Sequence, residues 1–375
     1  MTTATADQPY ARLGVRTFIN AAGPDTIWGG ALMRPEVLEA MTEASRQSVL
    51  IPELHEAAGR RIAELAGAEA AFVSSGCAGG LILSAAACLT GTDADAVRAL
   101  PDTGGRPNVF VLSAADQHPY IPQGIRMVGG EVVKAGTTER ATAEDFAPAI
   151  SQRTAALVFF LGRQPFEDLP PVVSLAHAHG LPVIVDAAGQ MPPRSLFREI
   201  PATGADVVVF SGGKSIRGPQ GTGIIVGKSE LVTAARMNGS PNAAVGRAMK
   251  VGKEEIVGLV TALELYLAED DERELQLRKS QLSAIAAGLD GLPGIRTTFE
   301  SPLPSSYHPP RTELYVLLDE NFPMTLGEVR AALRAGEPSI LVRDSQTCLR
   351  IRPDLFKDGD AEIVADRLRA ILAGR

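Results

Sequence analysis

Seven short apolar runs, rich in β-branched and aromatic residues, recur between residues 70 and 227 and leave few folds open to this chain. They are AAFVSSG (70–76), NVFVLS (108–113), GEVVKAG (130–136), AALVFFLG (155–162), PVIVDAA (182–188), DVVVFSGG (206–213) and TGIIVG (222–227). Helix-length pieces separate most of them. Two of these, VSLAHAHG and AEDFAPAIS, carry helical patterning, and the first closes on a glycine that signals a helix C-cap. Strands alternating with helices predict an α/β fold built on a seven-stranded, mostly parallel, doubly wound sheet.

After about residue 250 the pattern changes. KEEIVGLVTALELYLAEDDERELQLRKSQLSAIAAGL reads as one long linking helix, followed by a Gly-Pro break at 291–294. TELYVLLD, TLGEVRAALRAG, CLRIRPDLF and GDAEIVADRLRAIL then suggest a smaller C-terminal α/β domain of two to four strands with covering helices. The expected division is an N-terminal arm over 1–50, a large domain over 51–250 and a small domain over 251–375. A chain of 375 residues is long enough to bury cores of that size.

Charge and cysteine usage narrow the function. The formal net charge is −8 with no dense Lys/Arg run, so no nucleic-acid partner is expected and small molecules fit better. No apolar run reaches membrane-spanning length, and MTTATADQPYARLG lacks the basic and apolar regions of a secretory signal; a cytoplasmic location is expected. Cys77, Cys88 and Cys348 are too few for a disulfide framework, and the five histidines form no ligand spacing, so no metal site is expected.

The chemically loaded stretch is VVVFSGGKSIRGPQGTGIIVGK (207–228). A phosphate-binding P-loop would need glycine where Val208 stands. The glycines Gly218, Gly221 and Gly223 read G-x-x-G-x-G and lead into a strand, which is not the dinucleotide fingerprint. Lys214 is then either a plain surface lysine or an amine with partners. In an open parallel sheet, ligands lie beyond the carboxyl ends of the strands, so those ends supply the test. The first run ends in SSGCAGG, Ser74 to Gly80, at the start of an apolar helix, where free N–H groups and the helix dipole suit a phosphate. The fifth ends in Asp186, costly to bury without a cationic partner, or else an N-cap for the next helix. The sixth ends in Ser211 and Lys214. A phosphate cradle, a carboxylate and a lysine amine at neighbouring strand ends meet the needs of pyridoxal 5'-phosphate, which takes a Schiff-base lysine and a carboxylate that keeps its ring nitrogen protonated.

Beyond these residues, an ordered series covers nearly the whole chain: INAAGPDTIWGG (19–30), PEVLEAM (35–41), ELHEAAGRRIAELAGAEAAFVSSGCAGGL (53–81), VDAAGQMPP (185–193), FSGGKSIRGPQGTGIIVG (210–227) and VGRAMKVGKEEIVGLVTALELY (245–266). It resembles the fold-type-I pyridoxal-phosphate enzymes, and within them the family of bacterial selenocysteine synthase and D-glucosaminate-6-phosphate ammonia-lyase. The resemblance implies Lys214 as the Schiff-base lysine, Asp186 as the pyridinium partner, and Ser75, Gly76, Cys77 and Ser211 around the phosphate. It implies Gln190 near the phenolic oxygen and His118 stacked on the ring, with Gln117 as the alternative there. Cys77 stands where a small residue is expected; a packing role is expected of it, although a helix N-terminus can lower a thiol's pKa.

A guanidinium fork best holds an amino-acid carboxylate. Arg217 beside the lysine is the first choice, followed by Arg247 with Lys250 and Lys253, and then Arg350 or Arg352. The resemblance also implies a homodimer or higher even homo-oligomer, with Gly221 and Thr222 near the neighbour's phosphate. The family's common step removes an α-substituent through an external aldimine and a quinonoid. The expectation is an ammonia-lyase type elimination; a decarboxylase, oxygen-using or not, a racemase or an aminotransferase is the alternative. Selenium transfer fits an acidic chain less well, and a non-catalytic cofactor binder would not be expected to keep both Lys214 and Asp186.

Overall fold

A computed structural model describes residues 9–162, 164–302 and 312–374. In chain order the strands are β1 (Phe18–Ala21), β2 (Ala70–Ser75), β3 (Val109–Ser113), β4 (Glu131–Ala135), β5 (Thr154–Phe160), β6 (Val183–Asp186), β7 (Val207–Ser211), β8 (Thr222–Gly227), β9 (Ile295–Thr298), β10 (Leu314–Leu318), β11 (Ser339–Val342) and β12 (Leu349–Ile351). Strands β2 to β8 coincide with the seven apolar runs. They form one sheet in the order β2-β8-β7-β6-β5-β3-β4, in which only β8 runs antiparallel to its neighbours.

Apart from the largely exposed edge strand β4, the sheet is buried on both faces, which is why its strands read as continuous apolar runs rather than alternating ones. Successive side chains still point to opposite sides. Val111, Leu157, Phe159, Val185, Val208 and Ile224 join one core with the helices Ile51–Ala66, Leu169–Ala178 and Lys253–Leu267. Their strand neighbours Leu112, Val158, Phe160, Ile184, Val209 and Ile225 join the other, under helices Gly76–Thr90, Tyr120–Met127 and Ser229–Asn238.

The chain forms two compact units. The larger runs Ala31–Glu269, and the smaller gathers the described residues before it and those from Asp270 onward. These limits differ from the expected 50/51 and 250/251. Strand β1 pairs in parallel with β11, Phe18↔Ser339 to Ala21↔Val342, so the start of the chain is part of the smaller unit's structure. The stretch read as one linking helix is two, Lys253–Leu267 and Asp271–Leu289. The break falls at Asp270, whose carboxylate accepts the Glu272 and Arg273 N–H groups as an N-cap. In the smaller unit β10 pairs antiparallel with β9 and β12, and Leu282, Val316, Val329, Leu349 and Leu368 share its core. No helix among the described residues is long and apolar enough to cross a membrane.

One buried group gives the fold an acid sensitivity. His55, on helix Ile51–Ala66, is 4% exposed, lies 4.6 Å from the Phe72 ring and has no hydrogen-bond partner at Nδ1. Burial first, and the Arg236 charge second, lower its pKa from 6.5 to about 4. Between those values the unfolded chain takes up a proton that the folded chain refuses, so stability is complete above the upper value and falls as pH drops through the window. The apoprotein is expected to lose roughly 2 kcal/mol from this residue between pH 7.5 and pH 5. Denaturant titrations at the two pH values check this, and His55→Leu should shrink the difference by that amount.

Candidate active site

Because β8 runs against both its neighbours, β2 points the same way as the parallel set. The carboxyl ends of β2, β6 and β7, which are Ser75, Asp186 and Ser211, therefore share one edge of the sheet with Thr222 at the start of β8. The pairings Ser75↔Thr222, Ser211↔Gly223 and Asp186↔Val209 fix this register.

Helix Gly76–Thr90 starts directly from the end of β2. Its N-cap, Ser75, makes no side-chain capping bond, so the first N–H groups of the helix keep their donors and its positive dipole end for an anion. Gly76 has φ +70, where only glycine is comfortable. Across from it, a Cβ on Gly223 would lie 2.7 Å from the Cys77 nitrogen, so only a bare backbone lets β8 pass this close to the helix start. This donor set fits a phosphate dianion.

Asp186 receives two donors on a single oxygen. Oδ1 accepts the Ala188 N–H at 2.9 Å and the Cys77 thiol at 3.5 Å, and the same thiol lies 3.7 Å from the Val209 carbonyl. Burial raises the Asp186 pKa above the ordinary carboxylate value; the Ala188 N–H and the Lys214 charge oppose this, and the Asp116 charge adds to it. An ionised carboxylate is uncomfortable here without a cation opposite, and a pyridinium nitrogen is such a cation. The residues present fit pyridoxal phosphate. Helix Gly76–Thr90 would hold its phosphate, Asp186 its ring nitrogen and Lys214 its aldehyde carbon.

Cys77 departs from a thiol activated by a helix N-terminus. Burial and then the Asp186 charge push its pKa well above the ordinary thiol value, with Lys214 acting the other way, and burial pushes Cys88 up to about 12. The Cys77 thiol therefore stays protonated as a donor to Asp186. With Cys348 fully buried, none of the three thiols is expected to react rapidly with DTNB at pH 8 in the native protein. All three should react at once in denaturant; a fast native thiol traced to Cys77 would contradict this environment.

The lysine sits in a tight turn, with Arg217 N donating to Lys214 O at 2.9 Å and Gly218 N to Gly212 O at 2.9 Å. Arg217 adopts φ +60, uncommon for a residue with a side chain, and its Nε donates to Leu32 O at 3.1 Å. Gln190 is buried four residues after Asp186. Gly221 is exposed, whereas Thr222 is fully buried with its N–H and hydroxyl both donating to Pro219 O. Arg247, Lys250 and Lys253 lie on and after a loop packed on helix Gly76–Thr90, Arg247 itself exposed; Lys253 is committed to Ala44 O and Glu254.

Arg350 and Arg352 belong to the smaller unit. Arg350 is spent in a bidentate pair with Glu313, at 2.9 and 3.0 Å. Arg352 is 5% exposed, faces Asp354 at 2.9 Å, and has an Nη1 with no hydrogen-bond partner among the described residues. Beyond β3, His118 is half-exposed and held by Asp116, while Gln117 is exposed. The sequence reading missed Asp116 and the Cys77 contact. An acid two residues before the histidine was the available signal for the first.

This architecture, with a lysine turn, an acid closing β6 and an uncapped helix at β2, defines a fold-type-I pyridoxal-phosphate enzyme. The chain belongs to the L-seryl-tRNA selenium transferase (SelA) family, whose model matches residues 24–283. It is 35% identical over 382 residues to 5'-C-glycyluridine monooxygenase-decarboxylase of a Streptomyces species, covering 97% of this chain and 92% of the relative. It is 30% identical over 372 residues to D-glucosaminate-6-phosphate ammonia lyase of Salmonella typhimurium, covering 96% and 97%. A solved D-glucosaminate-6-phosphate ammonia-lyase superposes with TM-score 0.82 at 29% identity, covering 100% of this chain and 99% of that one.

Proposed function

We propose that this enzyme acts on a small amino acid by an ammonia-lyase type elimination. The cofactor chemistry rests on the convergence of Lys214, Asp186 and the uncapped start of helix Gly76–Thr90 at one sheet edge, and the observation that favours elimination is the 30% identity to the ammonia lyase over 96% of this chain. Pyridoxal phosphate, when bound, supplies the electron sink for the bond broken at the substrate Cα. The chain's own residues do the rest. Backbone N–H groups of Gly76 and Cys77, with Ser75 and Ser211, bind the phosphate. Asp186, with both donors on Oδ1, would have its second oxygen for the ring nitrogen. Lys214 tethers the cofactor and moves the proton at Cα. Gln190 would approach the phenolic oxygen and His118 would cover the ring, as the family resemblance implies, and Arg217 would orient the substrate carboxylate.

A second reading, oxygen-using decarboxylation, is favoured by the 35% identity to the monooxygenase-decarboxylase. Both are tested together by loading the protein with pyridoxal phosphate, confirming a visible band, and screening amino acids for ammonia, keto acid, carbon dioxide and oxygen uptake. Ammonia and keto acid without oxygen uptake support elimination. Carbon dioxide with oxygen uptake overturns it in favour of the second reading.

The assembly belongs to the same proposal. Leu32, Leu38, Val49 and Leu50 leave apolar side chains exposed in the larger unit, as an interface between two copies would require. The exposed Gly221 is the residue assigned to the neighbour's phosphate, with buried Thr222 buttressing it. Sedimentation should give an even oligomer; a monomer that binds cofactor at full strength would refute the shared site.

A further inference from the structure

We infer that Asp116 is a positioning residue that holds His118 as a second proton-carrying group of the active site, a proton donor rather than only a ring cover. One carboxylate clamps two atoms of the same residue. Asp116 Oδ1 lies 2.5 Å from His118 Nδ1, and Oδ2 accepts the His118 backbone N–H at 3.0 Å. Asp116 is 4% exposed, and such a buried acid needs donors and a nearby cation. Lys134 is that cation: its Nζ donates to the Asp116 carbonyl at 3.0 Å and reaches the Ser113 carbonyl at 3.4 Å. Gln164, 1% exposed, ties the base of the loop, its Oε1 accepting the Ala141 N–H at 2.8 Å and lying 3.4 Å from Ser113 Oγ. Covering a ring uses the face of an imidazole and needs no carboxylate at Nδ1. The clamp does something else. It fixes a proton on Nδ1, makes Nε2 the basic nitrogen of the neutral ring, and favours the doubly protonated form.

Among the described residues, the charged and aromatic groups near the pair include Lys134 behind Asp116, the Tyr120 ring 5.5 Å from His118, and Asp186, whose carboxyl responds to the Asp116 charge. The pair follows the carboxyl end of β3, which runs parallel to β5 as β5 does to β6, so it stands on the same edge of the sheet as Asp186, the acid assigned to the cofactor. An elimination needs more than a base at Cα. As the bond to the β-substituent breaks, that substituent leaves with the electron pair and requires a proton. His118 Nε2 supplies it and ends neutral, while the Cα proton ends on Lys214 Nζ; both groups are reset through solvent.

This role rests on the elimination reading, but its test does not. In full-length protein labelled with 15N-histidine, with and without pyridoxal phosphate, the His118 signals are assigned by their loss in His118→Gln. The expected result is a proton on Nδ1 across the titration and a midpoint about one pH unit lower in Asp116→Asn, with the cofactor band retained. An Nε2–H neutral tautomer in the unmutated protein would overturn the inference, and needs no variant to fold. An unchanged midpoint in a folded Asp116→Asn protein would do the same. A missing cofactor band or carbon dioxide release would instead strike the proposed function and leave the tautomer result standing.

Discussion

Lys214→Ala is expected to abolish the visible cofactor band and to lower turnover by about 10²–10⁴-fold or more, the range associated with losing a positioned proton-transfer group. The substitution should leave the fold intact, because the turn that carries the lysine is held by backbone bonds and by the Ser215 hydroxyl. Gly218 N donates to Gly212 O, Ala31 N to Gly213 O at 2.9 Å, and Ser215 Oγ to Met191 O at 2.6 Å. None of these bonds involves the lysine side chain. Lys214→Arg separates its two duties. It keeps a positive charge near Asp186 but cannot tether the cofactor, so it should retain phosphate-driven binding and lose the band. Absorbance spectra, thermal melts and turnover of both variants decide the matter. A Lys214→Ala protein that keeps its band and its turnover would return the lysine to an ordinary loop.

The parts of this enzyme legible in the sequence are those set by backbone. Seven apolar runs became seven strands because a sheet buried on both faces needs nothing more than β-branched and aromatic residues in series. Ser75, Asp186 and Ser211 came together because each closes a strand, and strand ends in a doubly wound sheet share an edge. Side-chain geometry was less readable. Asp116 lies two residues before His118 in ADQH, a spacing that signals an acid able to bond the following backbone but leaves open whether the same carboxylate also reaches the ring; the turn after β3 decides that. The Cys77 thiol could be read as activated by a helix end or as packing, and its burial first, with the Asp186 carboxylate behind it second, decides against activation. At the unit boundary the cap signal at Asp270 was present but hidden in a run of good helix formers, AEDDERELQ, so periodicity carried the reading straight through it. Arg350 and Arg352 looked equivalent until Glu313 proved to hold Arg350 in a bidentate pair while reaching Arg352 only at 3.7 Å.

Asp186→Asn is expected to weaken cofactor binding while making the apoprotein more stable, and the opposite signs are what identify its task. Burial raises the carboxyl's pKa in the folded protein above its unfolded value. Between those values the folded chain binds the extra proton, so the stability contribution falls as pH rises through the window and stays low above it. At neutral pH the ionised side chain thus costs the apoprotein stability, and a neutral amide of the same shape removes that cost. Melting temperature should rise by about 2–4 °C for each kcal/mol relieved, most clearly at pH 7–8 and least at acid pH, where the carboxyl is already neutral. With cofactor bound the sign reverses, because the ring nitrogen loses its anionic partner in a desolvated place. Removing one member of such a pair costs about 2 kcal/mol or more, a roughly 30-fold weaker Kd by fluorescence titration. Turnover should fall further than affinity, since a ring nitrogen no longer held protonated accepts electrons from Cα poorly. An Asp186→Asn protein that is less stable without cofactor, and binds it as tightly as before, would mean that Asp186 only ties the turn after β6 through Ala188, since the next helix begins ten residues on at Leu196 with Ser195 as its N-cap.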